Sequence, residues 1–98
     1  MFGKGIMFYK CKDFLLTNAT KMKPDIVVDT QSRFEISFKK GSRKVNIALI
    51  HHTGYPVEVD ITDSYYMIRV PRKTFKNEEK FQSFILKQLR DIAFVLQI

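Results

Sequence analysis

The sequence predicts an α+β fold, in which an antiparallel meander of four to five strands packs against one long C-terminal helix. Two observations lead to this prediction. Apolar and polar residues alternate with a period of two over residues 33–49 and again over 57–70, which is typical of strands with one buried face. From residue 77 onward, apolar residues recur every three or four positions, which is typical of an amphipathic helix. With 98 residues, the chain has the length of a single domain.

For residues 1–30 the sequence predicts a strand, then an irregular or short helical link, then a short edge strand. The first strand is placed at 5–11, and Asp13 would cap the helical link. The apolar residues of that link are Leu15, Ala19 and Met22. Pro24 ends it before the edge strand at 26–29. A continuous strand with a bend near Asp13 is the alternative.

The clearest strand pair lies within the predicted meander, which covers residues 31–71. Its two arms alternate around Gly41 and Ser42, and a glycine at the first central position is typical of a type II′ turn. That turn places Lys40 opposite Arg43 and brings the apolar faces of both arms together. The predicted apolar pairs are Phe38 with Val45, Ile36 with Ile47, and Phe34 with Leu49.

A second hairpin is predicted after a loop at 51–56. If Asp63 and Ser64 form its turn, the chain returns as a strand over residues 65–70. The predicted pairs are Ile61 with Tyr66, Val59 with Ile68, and Val57 with Val70. On the other face Glu58 would lie opposite Arg69, a cross-strand pair of opposite charge worth roughly 0.2–1 kcal/mol.

The C-terminal helix is predicted over residues 77–98. Asn77 is a favourable N-cap, and the carboxylates of Glu78 and Glu79 suit the positive end of the helix dipole. Its apolar face consists of Phe81, Phe84, Ile85, Leu89, Ile92 and Leu96. The last turns are apolar almost all round, so we expect burial on several sides or contact with a second chain. The residues assigned to a homodimer interface are Phe94, Val95 and Ile98.

The net charge of +7 is concentrated in three positive blocks at residues 1–24, 38–56 and 69–76. The second and third blocks each contain four Lys or Arg residues and no acid. Such clusters suit a polyanion, because each neutralised phosphate releases counterions. The blocks therefore favour a nucleic-acid-binding protein, although an anionic membrane surface or an acidic protein would also be attracted.

Basic residues also occur beside aromatic rings, the combination that binds single strands through phosphate contacts and base stacking. The predicted contact residues are Lys10, Lys12, Arg33, Lys39, Lys40, Arg43, Lys44, Tyr55, Tyr65, Arg69, Arg72, Lys73 and Lys76. In a meander, residues 39–44 and 72–76 fall at opposite ends of the sheet. A bound nucleic-acid strand would then run along the polar, solvent-facing side of the sheet between them, unless the N-terminal block or a second subunit bridges the gap.

Three functions are weighed. The leading one is a non-enzymatic binder of RNA or single-stranded DNA that acts as a homodimer. The second is a protein-binding inhibitor or adaptor, which would dock its basic surface on an acidic or nucleic-acid-binding partner. The third is a small ribonuclease in which His51 or His52 is a general base and Arg69 or Lys44 stabilises phosphate charge.

The sequence predicts no cofactor and no metal site. Adjacent histidines on an extended chain point to opposite faces, and Glu58 and Asp60 are expected to pair with cations rather than with a metal. No apolar run approaches the roughly 20 residues needed to span a bilayer, and the first residues lack the features of a signal peptide. A lone Cys11 forms no intramolecular disulfide. We therefore predict a cytoplasmic protein without membrane contact.

In composition the chain resembles the small, basic, Lys- and Phe-rich accessory proteins of large T4-like phages. The resemblance rests on its nine Phe residues and its excess of Lys, not on a residue motif. It implies a regulator, such as an RNA-binding inhibitor of a host defence or toxin system.

Overall fold

The computed structural model describes residues 2–52 and 56–98. Two helices cover one face of a five-stranded antiparallel sheet, whose strands follow one another in chain order. The helices are α1 (Phe2–Ala19) and α2 (Glu78–Leu96), and a 3₁₀ turn (Thr20–Met22) follows α1. The strands are β1 (Asp25–Asp29), β2 (Arg33–Lys40), β3 (Arg43–His51), β4 (Val57–Asp63) and β5 (Lys73–Phe75). The predicted α+β meander with a C-terminal helix is confirmed.

The hairpin of β2 and β3 has the predicted register. Lys40 lies opposite Arg43, and the three apolar pairs are Phe38 with Val45, Ile36 with Ile47, and Phe34 with Leu49. Gly41 has a φ of +61°, the conformation that a type II′ turn requires at its first central residue. All six apolar side chains are buried under the helices. The opposite side of the sheet is called the open face below.

The strand predicted at residues 5–11 is wrong, because this segment belongs to α1. The reason is a helical spacing of apolar residues that runs through the whole element. Phe8, Cys11, Leu15 and Ala19 follow at intervals of three and four, and all are buried. Burial of this stripe against α2 and β3 outweighs the strand preference of aromatic residues in the segment. The short edge strand predicted at 26–29 is confirmed as β1.

The second predicted hairpin is wrong in its returning arm. β4 pairs with β5, so that Val57 lies opposite Phe75 and Glu58 lies opposite Thr74. The predicted pairs of Ile61, Val59 and Val57 with Tyr66, Ile68 and Val70, and of Glu58 with Arg69, are therefore not formed. Residues 64–71 instead form a loop, called the 64–71 loop. Residues 73–75, which lie between the predicted strand at 65–70 and the predicted helix, supply the last strand of the sheet.

The C-terminal helix begins as predicted. Asn77 is the N-cap, and its Oδ1 accepts the backbone N–H of Lys80 at 3.0 Å. The buried residues of α2 are Phe81, Ile85, Gln88, Leu89, Ile92 and Leu96. Phe84, predicted on the same face, is half-buried and packs against Phe75 with ring centroids 5.1 Å apart. Within the described residues, no helix is both long and apolar enough to cross a bilayer.

Candidate nucleic-acid interface

The 64–71 loop is organised around the carboxylate of Asp63, which is buried at the end of β4. Its Oδ1 accepts the backbone N–H of Tyr65 at 3.1 Å. Its Oδ2 accepts the backbone N–H groups of Met67 and Ile68 at 3.0 and 2.8 Å. Arg43 donates from Nε to Oδ1 at 3.1 Å and from Nη2 to Oδ2 at 2.6 Å. One carboxylate therefore ties the loop to the start of β3.

These contacts also determine the charge of Asp63. The hydrogen bonds from Arg43 and from the loop backbone hold the pKa of Asp63 well below its ordinary value, although burial acts in the opposite direction. The same contact raises the pKa of Arg43. Arg43 was predicted to contact phosphate, but its side chain is only 12% exposed and its charge is paired within the fold. It positions the loop instead of presenting a cation to solvent.

The loop presents three large side chains to solvent. Tyr65, Tyr66 and Met67 are 48%, 77% and 72% exposed. The hydroxyl of Tyr65 forms a hydrogen bond with Ser42, and the guanidinium of Arg43 lies 5.2 Å from its ring centroid. Tyr66 has a φ of +58°, which is uncommon for a residue other than glycine. The Asp63 contacts on both sides of Tyr66 hold it in this conformation, with its ring pointing outward.

Three cations belong to the loop or to the hairpin end that is hydrogen-bonded to it: Arg69 in the loop, and Lys40 and Lys44 in the hairpin. The backbone of Lys44 is joined to Ser64 by two hydrogen bonds, each of 2.9 Å, so the loop lies directly on the start of β3. The Nε of Arg69 donates to the carbonyl of Tyr66 at 3.1 Å. The Nζ of Lys40 is 3.5 Å from the carbonyl of Gln97, just after α2. Among the described residues, none of the three cations is in an ion pair.

Most of the other predicted contact residues that the structure describes are in ion pairs with acidic neighbours. The ion pairs are Lys10 with Glu78 (3.9 Å), Lys12 with Asp29 (2.6 Å), Arg33 with Glu35 (3.3 Å), Lys39 with Asp25 (3.8 Å), and Arg72 with Glu58 (3.5 Å) and Asp60 (3.3 Å). Lys73 lies 5.2 Å from the ring centroid of Phe84. Lys76 is exposed in the turn before α2, and Tyr55 lies outside the described residues.

The two basic ends of the sheet are separate. β5 pairs with the start of β4, and this part of β4 pairs with the end of β3 that is distant from residues 39–44. The open face between them carries the carboxylates of Glu35, Glu58 and Asp60. Because these carboxylates occupy Arg33 and Arg72, the open face offers a polyanion fewer available cations there, and the residues around the 64–71 loop are the better candidate site.

The two histidines point to opposite sides of β3, as expected. His51 stacks on Phe8, with ring centroids 5.3 Å apart, and the Nε2 of His52 is 2.7 Å from a carboxylate oxygen of Glu58. His51 is seven residues along β3 from Lys44, a distance of roughly 23 Å in a strand. This separation prevents His51 and Lys44 from acting on the same phosphate. Within the described residues, no cluster of three or more potential metal ligands occurs.

The end of α2 forms a second exposed surface next to the loop. Phe94, Val95 and Ile98 are 83%, 40% and 41% exposed. Phe94 and Val95 line a groove between α2 and the loop. The other residues of this groove are Ile68, Arg69, Val70, Lys87, Gln88 and Asp91. The residues predicted for a dimer interface are therefore accessible and adjacent to the candidate site.

Sequence reasoning did not predict that Asp63 binds the backbone of the loop that follows it, or that Tyr66 and Met67 are exposed on that loop. The available signal was the aspartate itself, because its short side chain often binds backbone N–H groups just ahead of it and so forms a turn. Comparison with known proteins adds no further residue: the chain matches no family model, and neither a curated protein nor a solved structure is significantly similar to it. The site is therefore defined by its geometry alone.

Proposed function

We propose that this protein is a cytoplasmic, non-enzymatic binder of single-stranded nucleic acid, RNA or DNA. Its binding surface consists of the hairpin tip (residues 39–44) and the 64–71 loop. The observation that carries the proposal is the display of three exposed side chains, Tyr65, Tyr66 and Met67, on a loop that contains Arg69 and is hydrogen-bonded to the hairpin end bearing Lys40 and Lys44. Cations that neutralise phosphates beside rings that stack on bases are the two components of single-strand recognition.

Exposed rings favour a single strand over a duplex. In a double helix the base faces are stacked on one another, so a protein ring reaches them only after the bases separate. The Asp63 contacts hold the loop in place before binding, so little ordering entropy is lost when a strand associates. A preformed surface of this kind supports binding that tolerates different sequences.

A homodimer formed through the end of α2 is the second part of the proposal. Phe94 is too exposed to contribute to the core of one copy, and an exposed apolar surface marks an interaction site. The adjacent groove has both Lys87 and Asp91 at its rim, so a two-fold contact can place each acid opposite a base of the partner. Lys40 lies against the end of α2, so dimerisation would bring two binding surfaces into one assembly.

The binding proposal is tested by fluorescence anisotropy with a labelled oligouridylate at 50 and 200 mM NaCl. If the three cations each contact one phosphate, affinity should fall about 20-fold between the two salt concentrations. The triple variant Lys40→Gln, Lys44→Gln, Arg69→Gln should bind weakly and lose most of this dependence. Its matched control changes three exposed cations elsewhere, Lys21→Gln, Lys80→Gln and Arg90→Gln. The proposal would be contradicted if affinity does not change with salt concentration, or if both triple variants lose the same amount of affinity for the oligouridylate.

The dimer is tested separately by sedimentation velocity at tens of micromolar. We expect a dimer for the natural chain and a monomer for Phe94→Ser, because the substitution removes the most exposed apolar ring. Leu86→Ser is the control, since Leu86 is also exposed on α2 but does not line the groove. A monomeric natural chain would contradict the dimer and leave the binding proposal standing.

A further inference from the structure

Part of β4 has a free edge beside the 64–71 loop. β5 pairs only with residues 57–59 of β4, whereas β3 pairs with the strand as far as Asp63. On the outer side of residues 60–63, the described chain supplies no strand partner. The loop follows Asp63 but turns away from this edge, because its N–H groups bind the Asp63 carboxylate. The result is a depression of about 390 Å³ between the strand edge and the loop.

The lining of this depression combines apolar walls with a few polar groups. It is lined by Ile61, Thr62, Asp63, Tyr66, Ile68 and Arg69. Tyr66 supplies an exposed ring, and the edge of β4 supplies backbone N–H and C=O groups of the kind that an unpaired strand presents. Arg69 uses Nε for the carbonyl of Tyr66, so its terminal N–H groups remain available for an anion.

This chemistry fits a nucleotide. A base has two flat faces that stack on an aromatic ring, and its edge carries donors and acceptors that pair with backbone or hydroxyl groups. The phosphate attached to it suits the guanidinium of Arg69. A peptide strand is less suited, because strand addition uses a long run of edge groups, whereas the free part of β4 is only four residues long.

We propose that this depression binds one unstacked base of the nucleic acid, with its face on Tyr66, its polar edge on the free edge of β4, and its phosphate at Arg69. The inference rests on the proposed function and deepens it, since it assigns one base to a defined place between Tyr66 and the free edge of β4. Affinity should then depend on the presence of bases, not only on charge and salt.

The test compares two oligonucleotides of equal length, one carrying uracil at every position and one abasic, at low salt. The phosphate number is the same, so the difference in affinity measures the bases. We expect the abasic strand to bind about 10-fold more weakly, the loss typical of one stacked base. Tyr66→Asn should lower the affinity for the uracil strand toward that for the abasic strand, and Tyr66→Phe should preserve it. Asparagine is chosen because it tolerates the positive φ at this position.

The control for the ring is Tyr9→Asn, because Tyr9 is 49% exposed on α1 and does not line the depression. Equal affinities for the two oligonucleotides, combined with strong salt dependence, would overturn the base site and the stacking on the loop rings, and would leave only the phosphate contacts of the proposed function standing. If Tyr9→Asn and Tyr66→Asn lower the affinity for the uracil oligonucleotide equally, the base site is likewise overturned. No binding of either oligonucleotide would overturn the proposed function and the base site together.

Discussion

The guanidinium of Arg43 and the carboxylate of Asp63 form a buried pair, with Nη2 2.6 Å from Oδ2. This pair determines the course of the chain after β4. The same carboxylate accepts three backbone N–H groups of the following loop, so the chain curls around Asp63 instead of returning as a strand. The exposed ring of Tyr66 is a direct consequence of that curl.

Asp63→Asn should lower the free energy of unfolding by about 2 kcal/mol, because hydrogen bonds to a charged acceptor are lost and buried donors are left with a poorer partner. Urea unfolding followed by circular dichroism measures the change. Asp60→Asn is the control, since Asp60 also forms an ion pair, with Arg72, but lies on the open face. An Asp63 variant as stable as the Asp60 variant would show that this carboxylate does not anchor the fold.

The stability that Asp63 provides should depend on pH. Folding lowers the pKa of Asp63 below its value in the unfolded chain, which is about 3.9. The contribution of Asp63 to the free energy of unfolding is therefore complete above this pH and declines as the pH falls below it. The natural chain should therefore be more stable than Asp63→Asn at pH 7, and this difference should shrink at pH 3. Urea unfolding at both pH values checks this. A difference that is unchanged at pH 3 would mean that the charge of Asp63 is not responsible.

Gly41→Ala should destabilise the protein by about 1–2 kcal/mol, the cost of a side chain in a left-handed conformation. Apart from Gly41 itself and its two neighbours in the chain, no atom lies within 4 Å of the position that the new Cβ would occupy, so the cost comes from the backbone and not from a clash. Gly41→Asn should cost less, because asparagine tolerates positive φ. Thermal unfolding of the three proteins checks the order, and equal stability of all three would contradict the assigned turn.

Cys11 should be unreactive in the folded protein. Burial, together with the nearby charge of Glu78, raises the pKa of the Cys11 thiol to about 12, so the reactive thiolate is scarce at neutral pH. Titration with a thiol-specific disulfide reagent at pH 8 should show almost no reaction until denaturant is added. Rapid reaction in the absence of denaturant would mean that α1 does not cover this side chain as described.

The elements that sequence reasoning predicted correctly are those whose signals are local. Gly41 and the alternating arms around it lie within one hairpin, and together they determine the register of β2 and β3. Asn77 and the apolar spacing after it similarly define the start and the buried face of α2. In α1 the local signals conflict, because aromatic residues favour a strand whereas the spacing of Phe8, Cys11, Leu15 and Ala19 is helical.

The sequence alone thus determined the fold class, one complete hairpin, the C-terminal helix and the uneven distribution of positive charge. Only the tertiary structure decided how that charge is used. Asp63 meets Arg43 across twenty residues of chain, Arg72 reaches the carboxylates of the open face, and Lys40 meets the end of α2. A periodic pattern records which side of an element is buried, but the partner of a charged or polar side chain depends on which distant segments the fold brings together.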